Sequence, residues 1–278
     1  MAYVSTKELL LDAQKNHYAV GAFNIENLET AQAVVNAAEK LDVPVIIQTT
    51  ASSIRYAGVG PFAGIVKALA AGSRARIALH LDHGDSYELA EQCKNAGYSS
   101  VMIDGSKLPF EENIALSSSV VKMCAGLPVE AELGTVGGKE ENDMAEGEAG
   151  YTKPEDAAEF VERTHVDFLA VAIGTAHGIY KGIPKLDIPR LAKIRSMVDI
   201  PLVLHGASGV PDEQVAACID NGITKVNYAT ELRIAFTKGV KEAIAENPDA
   251  FDPKVYLKAA RVRAQEFVEN RIHLVTRV

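Results

Sequence analysis

The 278-residue sequence predicts an α/β fold: a single (β/α)8 TIM barrel with an N-terminal capping helix and a C-terminal helical tail. Three observations carry that expectation. Short apolar runs alternate with helical patterns from end to end, as parallel βα units do. The runs are near-continuous in apolar character, which suits strands covered on both faces. Eight of them can be placed, on a chain close to the ~250 residues typical of this barrel.

Taken in order, Ser5 and Glu8 have capping-box spacing and open a first helix, which is placed across the bottom of the barrel. The strand runs are Ala19–Asn24, Pro44–Thr50, Arg76–His83, Ser100–Asp104, Pro128–Leu133, Asp167–His177, Pro201–Gly206 and Ile223–Asn227. Leu28, Ala31, Val34, Val35, Ala38 and Leu41 give one intervening helix its apolar stripe. Thr152 and Glu155 bracket a later helix start with Pro154 in the first turn, and Pro211, Asp212 and Glu213 open another. Gly134–Gly150, rich in Gly and Glu, breaks the rhythm after the fifth run and reads as an active-site lid. The segment after Pro253 is a helical tail that packs on the barrel or on a neighbouring subunit. With no linker, repeat or low-complexity tract, residues 1–278 read as one domain.

Hydrophobic residues make up 47% and charged residues 23%, ordinary for a globular enzyme. A net charge of −9 argues against a nucleic-acid partner but leaves a small anionic substrate open. Cys93, Cys124 and Cys218 are odd in number and form no CxxC pair, so they read as reduced thiols of a cytoplasmic protein. Met1–Asn16 is amphipathic, unlike a signal peptide, and no apolar run approaches the ~20 residues of a membrane span.

In this barrel the chemistry sits at the C-terminal strand ends. The polar residues there are Asn24, Thr50, Asp82 with His83, Asp104, Glu132, His177, His205 and Asn227. Three neutral imidazoles from separate strands can hold one divalent ion with a position left open, as in catalytic zinc sites. Asp82 fits either a general base or a support for a neighbouring ligand. Asp104 and Glu132 fit weaker ligands, orienters or salt-bridged acids. Gly206-Ala207-Ser208-Gly209 and Asn227-Tyr228-Ala229-Thr230 follow the last two strands and lead into helices, where such barrels bind phosphate. Lys225, the one lysine placed in a strand, is expected to face a helix or solvent, which leaves a lysine Schiff-base mechanism without its nucleophile.

Leu81-Asp82-His83-Gly84, Glu130-Ala131-Glu132-Leu133-Gly134, Gly174-Thr175-Ala176-His177-Gly178, Leu204 to Gly209 and Lys225 to Glu231 resemble the motifs of class II fructose/tagatose-bisphosphate aldolases, in order and over nearly the whole chain. The resemblance implies that His83, His177 and His205 hold zinc, with Glu132 and Asp104 beside it as alternative ligands. It implies that Asp82 exchanges the C4 hydroxyl proton and that Glu140, in the lid, shuttles a proton at the dihydroxyacetone-phosphate carbon. Gly178, Lys181, Gly206, Ser208, Asn227 and Thr230 would surround one phosphate and a nearby monovalent cation, Na+ or K+. Asn24 and Thr50 would contact substrate. The second phosphate meets an arginine from a neighbouring subunit in the fructose branch; Lys258 stands at the matching place, so a homodimer or homotetramer is implied. Ala229 stands where the fructose branch usually carries an acid and the tagatose branch an alanine, which favours tagatose 1,6-bisphosphate over fructose 1,6-bisphosphate. Gly84, where a second histidine is common, and Tyr228, for a small aliphatic residue, depart from the tagatose pattern. A different metal enzyme on the same barrel and a non-catalytic stabilising subunit are the rival readings; retention of all three histidines and Asp82 argues against the second.

Overall fold

The computed structural model describes residues 2–138, 150–180 and 182–277. Its strands are β1 (Val20–Asn24), β2 (Val45–Thr50), β3 (Ile77–Gly84), β4 (Ser100–Ile103), β5 (Val129–Leu133), β6 (Gly137–Gly138), β7 (Phe168–Val171), β8 (Ala176–His177), β9 (Leu202–Leu204) and β10 (Ile223–Tyr228). Its helices are α1 (Thr6–Asn16), α2 (Leu28–Leu41), α3 (Ala51–Ala57), α4 (Val59–Ala71), α5 (Tyr87–Ala96), α6 (Phe110–Cys124), α7 (Pro154–Thr164), α8 (Ile188–Arg195), α9 (Asp212–Asp220), α10 (Thr230–Glu246) and α11 (Pro253–Thr276). All strands but β6 and β8 close into one parallel barrel, each beside its predecessor, and β10 pairs with β1. The short strands β6 and β8 pair only with each other. This is the (β/α)8 barrel expected from the alternation of apolar runs.

Alternation along each strand divides the core in two. Inward-facing Val20, Ala22, Ile46, Ala78, Phe168, Ala170 and Val203 pack on Leu9, Leu10 and Ala13 of α1, which floors the barrel. The outward-facing residues pack under the ring of helices. In α2 the stripe residues Ala31, Val34, Val35 and Ala38 are buried, while Leu28 is exposed. The C-terminal helix α11 lies on α10 and α2, and the Val275 carbonyl accepts a hydrogen bond from Ala19 N at 2.9 Å. Among the described residues, no helix is long and apolar enough to cross a membrane.

Four sequence expectations need correction. The Ser5 side chain makes no capping bond and Glu8 is exposed; α1 is held by burial of its apolar face instead. Thr152 does not cap α7 either. Its hydroxyl donates to the Leu133 carbonyl and accepts from Ala172 N, tying the end of β5 to the end of β7. The run Asp167–His177 is not one strand: the ladder with β5 stops at Leu133 and Val171, and the chain turns at Gly174, whose φ is +111°. A side chain at Gly174 would also meet the Tyr151 hydroxyl at 2.7 Å.

The fourth correction is Lys225, which points into the barrel. It sits two residues before Asn227 on β10, and period-2 alternation puts both on the inner face. Its side chain is fully buried, with Nζ 2.8 Å from Glu130 Oε2 on β5. Glu130 Oε1 lies 2.8 Å from His205 Nε2, and Oε2 lies 3.4 Å from His80 Nε2. His80 Nδ1 meets Ser100 Oγ at 2.7 Å, and Ser100 donates on to Thr6 of α1. Burial pushes the His80 imidazole down to about 3, helped by the Lys225 charge, so His80 is neutral. Burial alone would raise the Glu130 carboxyl; Lys225 and the hydrogen bond from His205 outweigh it and hold Glu130 ionised. A charge left alone at this depth is far costlier than the pair. Lys225→Met is therefore expected to destabilise the protein by roughly 3–5 kcal/mol. Adding Glu130→Gln should recover part of that loss. Urea denaturation of both single variants and the double variant gives the coupling, and additive losses would show that the pair is not a unit.

Candidate active site

The site begins at the end of β3. Here β3 pairs with β4 through Leu81–Val101 and then Gly84–Ile103, so β3 carries one residue more than its partner. This bulge lies at Asp82 and His83. Ordinary alternation would send one of two adjacent side chains inward and the other outward. His83 instead adopts φ +47°, in the left-handed region, and both side chains line the same cavity. Its amide has Met102 Sδ at 3.4 Å in place of a ladder carbonyl. Gly84 is required next to it: a Cβ there would lie 2.3 Å from the Met102 carbonyl oxygen.

His205 follows β9 directly and is fully buried. His177 comes from β8, on the loop after β7. These two are brought together by a close backbone approach. Gly206 has φ +63°, and a Cβ on it would meet the Ala176 carbonyl oxygen at 2.6 Å. The Tyr180 hydroxyl staples the same loops, accepting from Ala176 N at 2.7 Å and donating to the Gly206 carbonyl at 2.8 Å. The rings of His83 and His177 have centroids 4.7 Å apart, and those of His83 and His205 4.6 Å apart.

Carboxylates flank both His83 and His205. His83 Nδ1 lies 2.8 Å from Asp104 Oδ2. His205 Nε2 lies 2.8 Å from Glu130 Oε1. An imidazole beside a carboxylate donates its proton there, which leaves the other ring nitrogen as an acceptor. Those remaining nitrogens, His83 Nε2 and His205 Nδ1, face each other at 3.1 Å. Nitrogens so placed need a shared proton or a metal ion between them, and two nitrogens on one tetrahedral zinc stand ~3.3 Å apart at ordinary bond lengths. The buried Glu132 Oε2 lacks a hydrogen-bond partner although His205 Nδ1 lies 3.2 Å away. One potential ligand atom from each of His83, His177 and His205 falls within 4.8 Å of the others, and so does one from each of His83, Asp104 and Glu132. The donor set therefore fits a divalent ion.

Charge follows the same geometry. Burial would lower His83, but Asp82, Asp104 and Glu132 raise it well above the ordinary imidazole value. Burial, together with His83 and His205, pushes His177 down to about 3. Burial and the neighbouring Asp104 raise the Glu132 carboxyl. Asp82 goes the other way: burial alone would raise it, but His83, His205, Lys225 and an Asn24 hydrogen bond bring it to about 2. Its oxygens accept from Asn24 Nδ2 at 2.7 Å and Asn227 Nδ2 at 3.0 Å, and Asn24 is held in turn by Gln48 at 2.8 Å. The carboxylate is thus ionised and aimed.

Asn24, Thr50, Asp82, His83, His177, Gly178, Gly206, Ser208, Asn227 and Thr230 line one cavity of about 30 Å³. Asp104 and Glu132 stand behind it, against His83. Lys258 is exposed on α11 and does not line this cavity. Glu140, Lys181 and residues 139–149 of the expected lid lie outside the described residues. Glu130, Lys225, His80 and Tyr180 were missed as parts of the site. For the first three the signal was alternation, since each lies two residues before a predicted strand end or a cavity residue; Tyr180 gave none.

The family model for class II fructose-bisphosphate aldolase matches residues 4–278. Among solved structures, the YdjI aldolase from Escherichia coli K12 is 35% identical, with a TM-score of 0.86 over 98% of this chain and 97% of that one. A putative fructose-1,6-bisphosphate aldolase from Coccidioides immitis is 29% identical, with a TM-score of 0.87 over 97% and 95%. The fructose-bisphosphate aldolase Fba from Campylobacter jejuni is 25% identical, with a TM-score of 0.83 over 99% and 95%. With a barrel of this topology and a strand-end cluster of three histidines, the chain belongs to the class II fructose-bisphosphate aldolase family.

Proposed function

We propose that the chain is a zinc-dependent aldolase that cleaves a ketose 1,6-bisphosphate, tagatose 1,6-bisphosphate ahead of fructose 1,6-bisphosphate, to dihydroxyacetone phosphate and glyceraldehyde 3-phosphate. The observation that carries this reading is the pair of carboxylate-flanked imidazoles, His83 and His205, with their free nitrogens 3.1 Å apart. His83, His177 and His205 are the residues to hold the ion, with Asp104 orienting His83 and Glu132 offering an alternative ligand. When bound, zinc supplies Lewis-acid stabilisation of negative charge on the ketone fragment.

Asp82 takes the proton of the C4 hydroxyl as the C3–C4 bond breaks and the aldehyde departs. Its fixed carboxylate is ionised at neutral pH, the form that can accept this proton. The electron pair stays on the three-carbon fragment, and Glu140 returns a proton to carbon, on the strength of the family resemblance. Gly178, Lys181, Gly206, Ser208, Asn227 and Thr230 hold the ketone-side phosphate, with a monovalent cation nearby. The start of α10 favours this: Ala229 provides no side-chain cap, Glu231 N reaches Ser208 Oγ only at 3.4 Å, and the first backbone N–H groups of that helix suit an anion. Asn24 and Thr50 contact the sugar. Ala229 lines the cavity between Asn227 and Thr230, and its methyl group in place of an acid supports the tagatose configuration at C4. Fructose 1,6-bisphosphate is the second reading, favoured by the names of two structural relatives. We read residues 1–278 as one domain of a cytoplasmic homodimer or homotetramer.

The first test is cleavage of both bisphosphates side by side, with and without a chelator. Chelator-sensitive cleavage with tagatose ahead is expected, and zinc-loaded protein that cleaves neither sugar would sink the reading. His205→Ala should lose zinc, measured by metal analysis, together with activity. Asp82→Ala should keep zinc while turnover drops by at least ~100-fold, in the range of general-base removal. A fully active Asp82→Ala protein would refute the base assignment.

A further inference from the structure

Within the turn from Asn227 to Thr230, one residue takes no part in the cavity. Asn227, Ala229 and Thr230 line it, whereas Tyr228 is fully buried in the outer core, under the ring of helices. Tyr228 pairs in register with Phe23 of β1, and their rings stack with centroids 5.7 Å apart. Phe267 of α11 meets the Tyr228 ring edge-on, with centroids 6.1 Å apart. Arg271 lies one turn further along α11. Its guanidinium carbon is 6.0 Å from each of these two ring centroids, within reach of cation–π attraction.

Arg271 holds more than the rings. Its Nη1 donates to Asp212 Oδ1 at 2.7 Å, at the first residue of α9 and three residues after Gly209 in the chain. Its Nε and Glu231 Oε2 are both buried without a hydrogen bond, and the two charges act on each other through space. Glu231 stands in the first turn of α10, and its amide approaches Ser208 Oγ at 3.4 Å. One side chain of α11 therefore reaches both segments assigned to the ketone-side phosphate. It reaches Gly206–Gly209 through Asp212, and Asn227–Thr230 through Tyr228 and Glu231. A planar guanidinium suits this double task, since its face stacks on rings while its edge meets carboxylates. A second arginine of the same region, Arg277, binds Asp220 at the other end of α9.

We propose that Arg271 is a positioning residue: from outside the barrel wall it fixes the spacing of these two segments, and so sets the affinity for dihydroxyacetone phosphate without touching it. This rests on the aldolase reading above. The Arg277–Asp220 pair joins the same chain regions but touches neither segment, so it separates anchoring of α9 from positioning of the site.

The test runs in the condensation direction, where dihydroxyacetone phosphate and glyceraldehyde 3-phosphate each have their own KM. Both constants, kcat and zinc content are read for wild type, Arg271→Met, Arg271→Lys, Asp212→Asn and Arg277→Met. Arg271→Met should raise the KM for dihydroxyacetone phosphate about tenfold, the scale of one lost charge-assisted contact. The KM for glyceraldehyde 3-phosphate and the zinc content should stay at wild-type values, with kcat little changed. Asp212→Asn should shift the same constant by a smaller factor, and Arg271→Lys, which keeps the charge but not the planar stack, should fall between wild type and Arg271→Met. Arg277→Met should shift neither KM. An unmoved KM for dihydroxyacetone phosphate in Arg271→Met, an equal rise in Arg277→Met, or a joint rise of both KM values overturns the inference while leaving the aldolase standing. Wild-type protein that condenses the two substrates at no measurable rate overturns both.

Discussion

Glu130 is the residue on which the rest of the site leans. A barrel interior is a packed core, and a carboxylate in it is tolerated only when fully compensated. Glu130 is compensated two ways, by Lys225 and by His205. Each of these comes from a different strand, so the compensation fixes strand against strand as well as charge against charge. It also decides chemistry one layer up. By holding Nε2 of His205, Glu130 leaves Nδ1 as the atom facing His83. The floor below is apolar and packed on α1, so no water is needed there to satisfy a polar group. From floor to rim, the interior runs from apolar contact to neutralised charge to buried and half-buried candidate ligands.

The second constraint is local. Asp82 and His83 are adjacent in sequence, yet the reading gives them different work in one cavity. A regular strand cannot present both. The bulge and the positive φ of His83 resolve the conflict, and both are strained features that persist because their surroundings hold them. Asp104 from β4 holds His83 from one side, and the absence of a side chain at Gly84 lets β4 come close enough to do so. Asp82 is held from the opposite side by β1 and β10 through Asn24 and Asn227. Neighbours in the chain are thus fixed by opposite walls of the barrel.

Most of this was legible in the sequence, and what was not has definite causes. The apolar runs marked the barrel strands to within a few residues, because strands covered on both faces have nowhere to place polar groups except the ends. Asn24, Thr50, Asp82, His205 and Asn227 stood out for that reason. Counting back two residues from such ends reaches Gln48, His80 and Lys225, and from Glu132 it reaches Glu130. The interior layer was therefore within reach of parity, and Lys225 was misjudged because a lone lysine in a strand was weighed as a surface residue. Parity does not reach His83, which breaks it, and a one-residue bulge leaves no compositional mark. Nor does it reach Tyr180, whose part depends on how closely two loops approach. The Thr152 hydroxyl shows the same limit from another side: a residue at cap spacing was drawn instead to the open backbone groups of β5 and β7.

His177 differs from its two partners in kind. His83 and His205 belong to the barrel wall and are locked by carboxylates. His177 stands on β8, beyond the end of β7, and its backbone is fixed by Tyr180 and by the ladder to Gly137–Gly138. That ladder ends two residues before Glu140 in the chain. Two of the candidate ligands are thus set by the wall. The third is set by the loop. A barrel separates these tasks without extra parts, because its walls supply stability and its strand-end loops supply the adjustable groups.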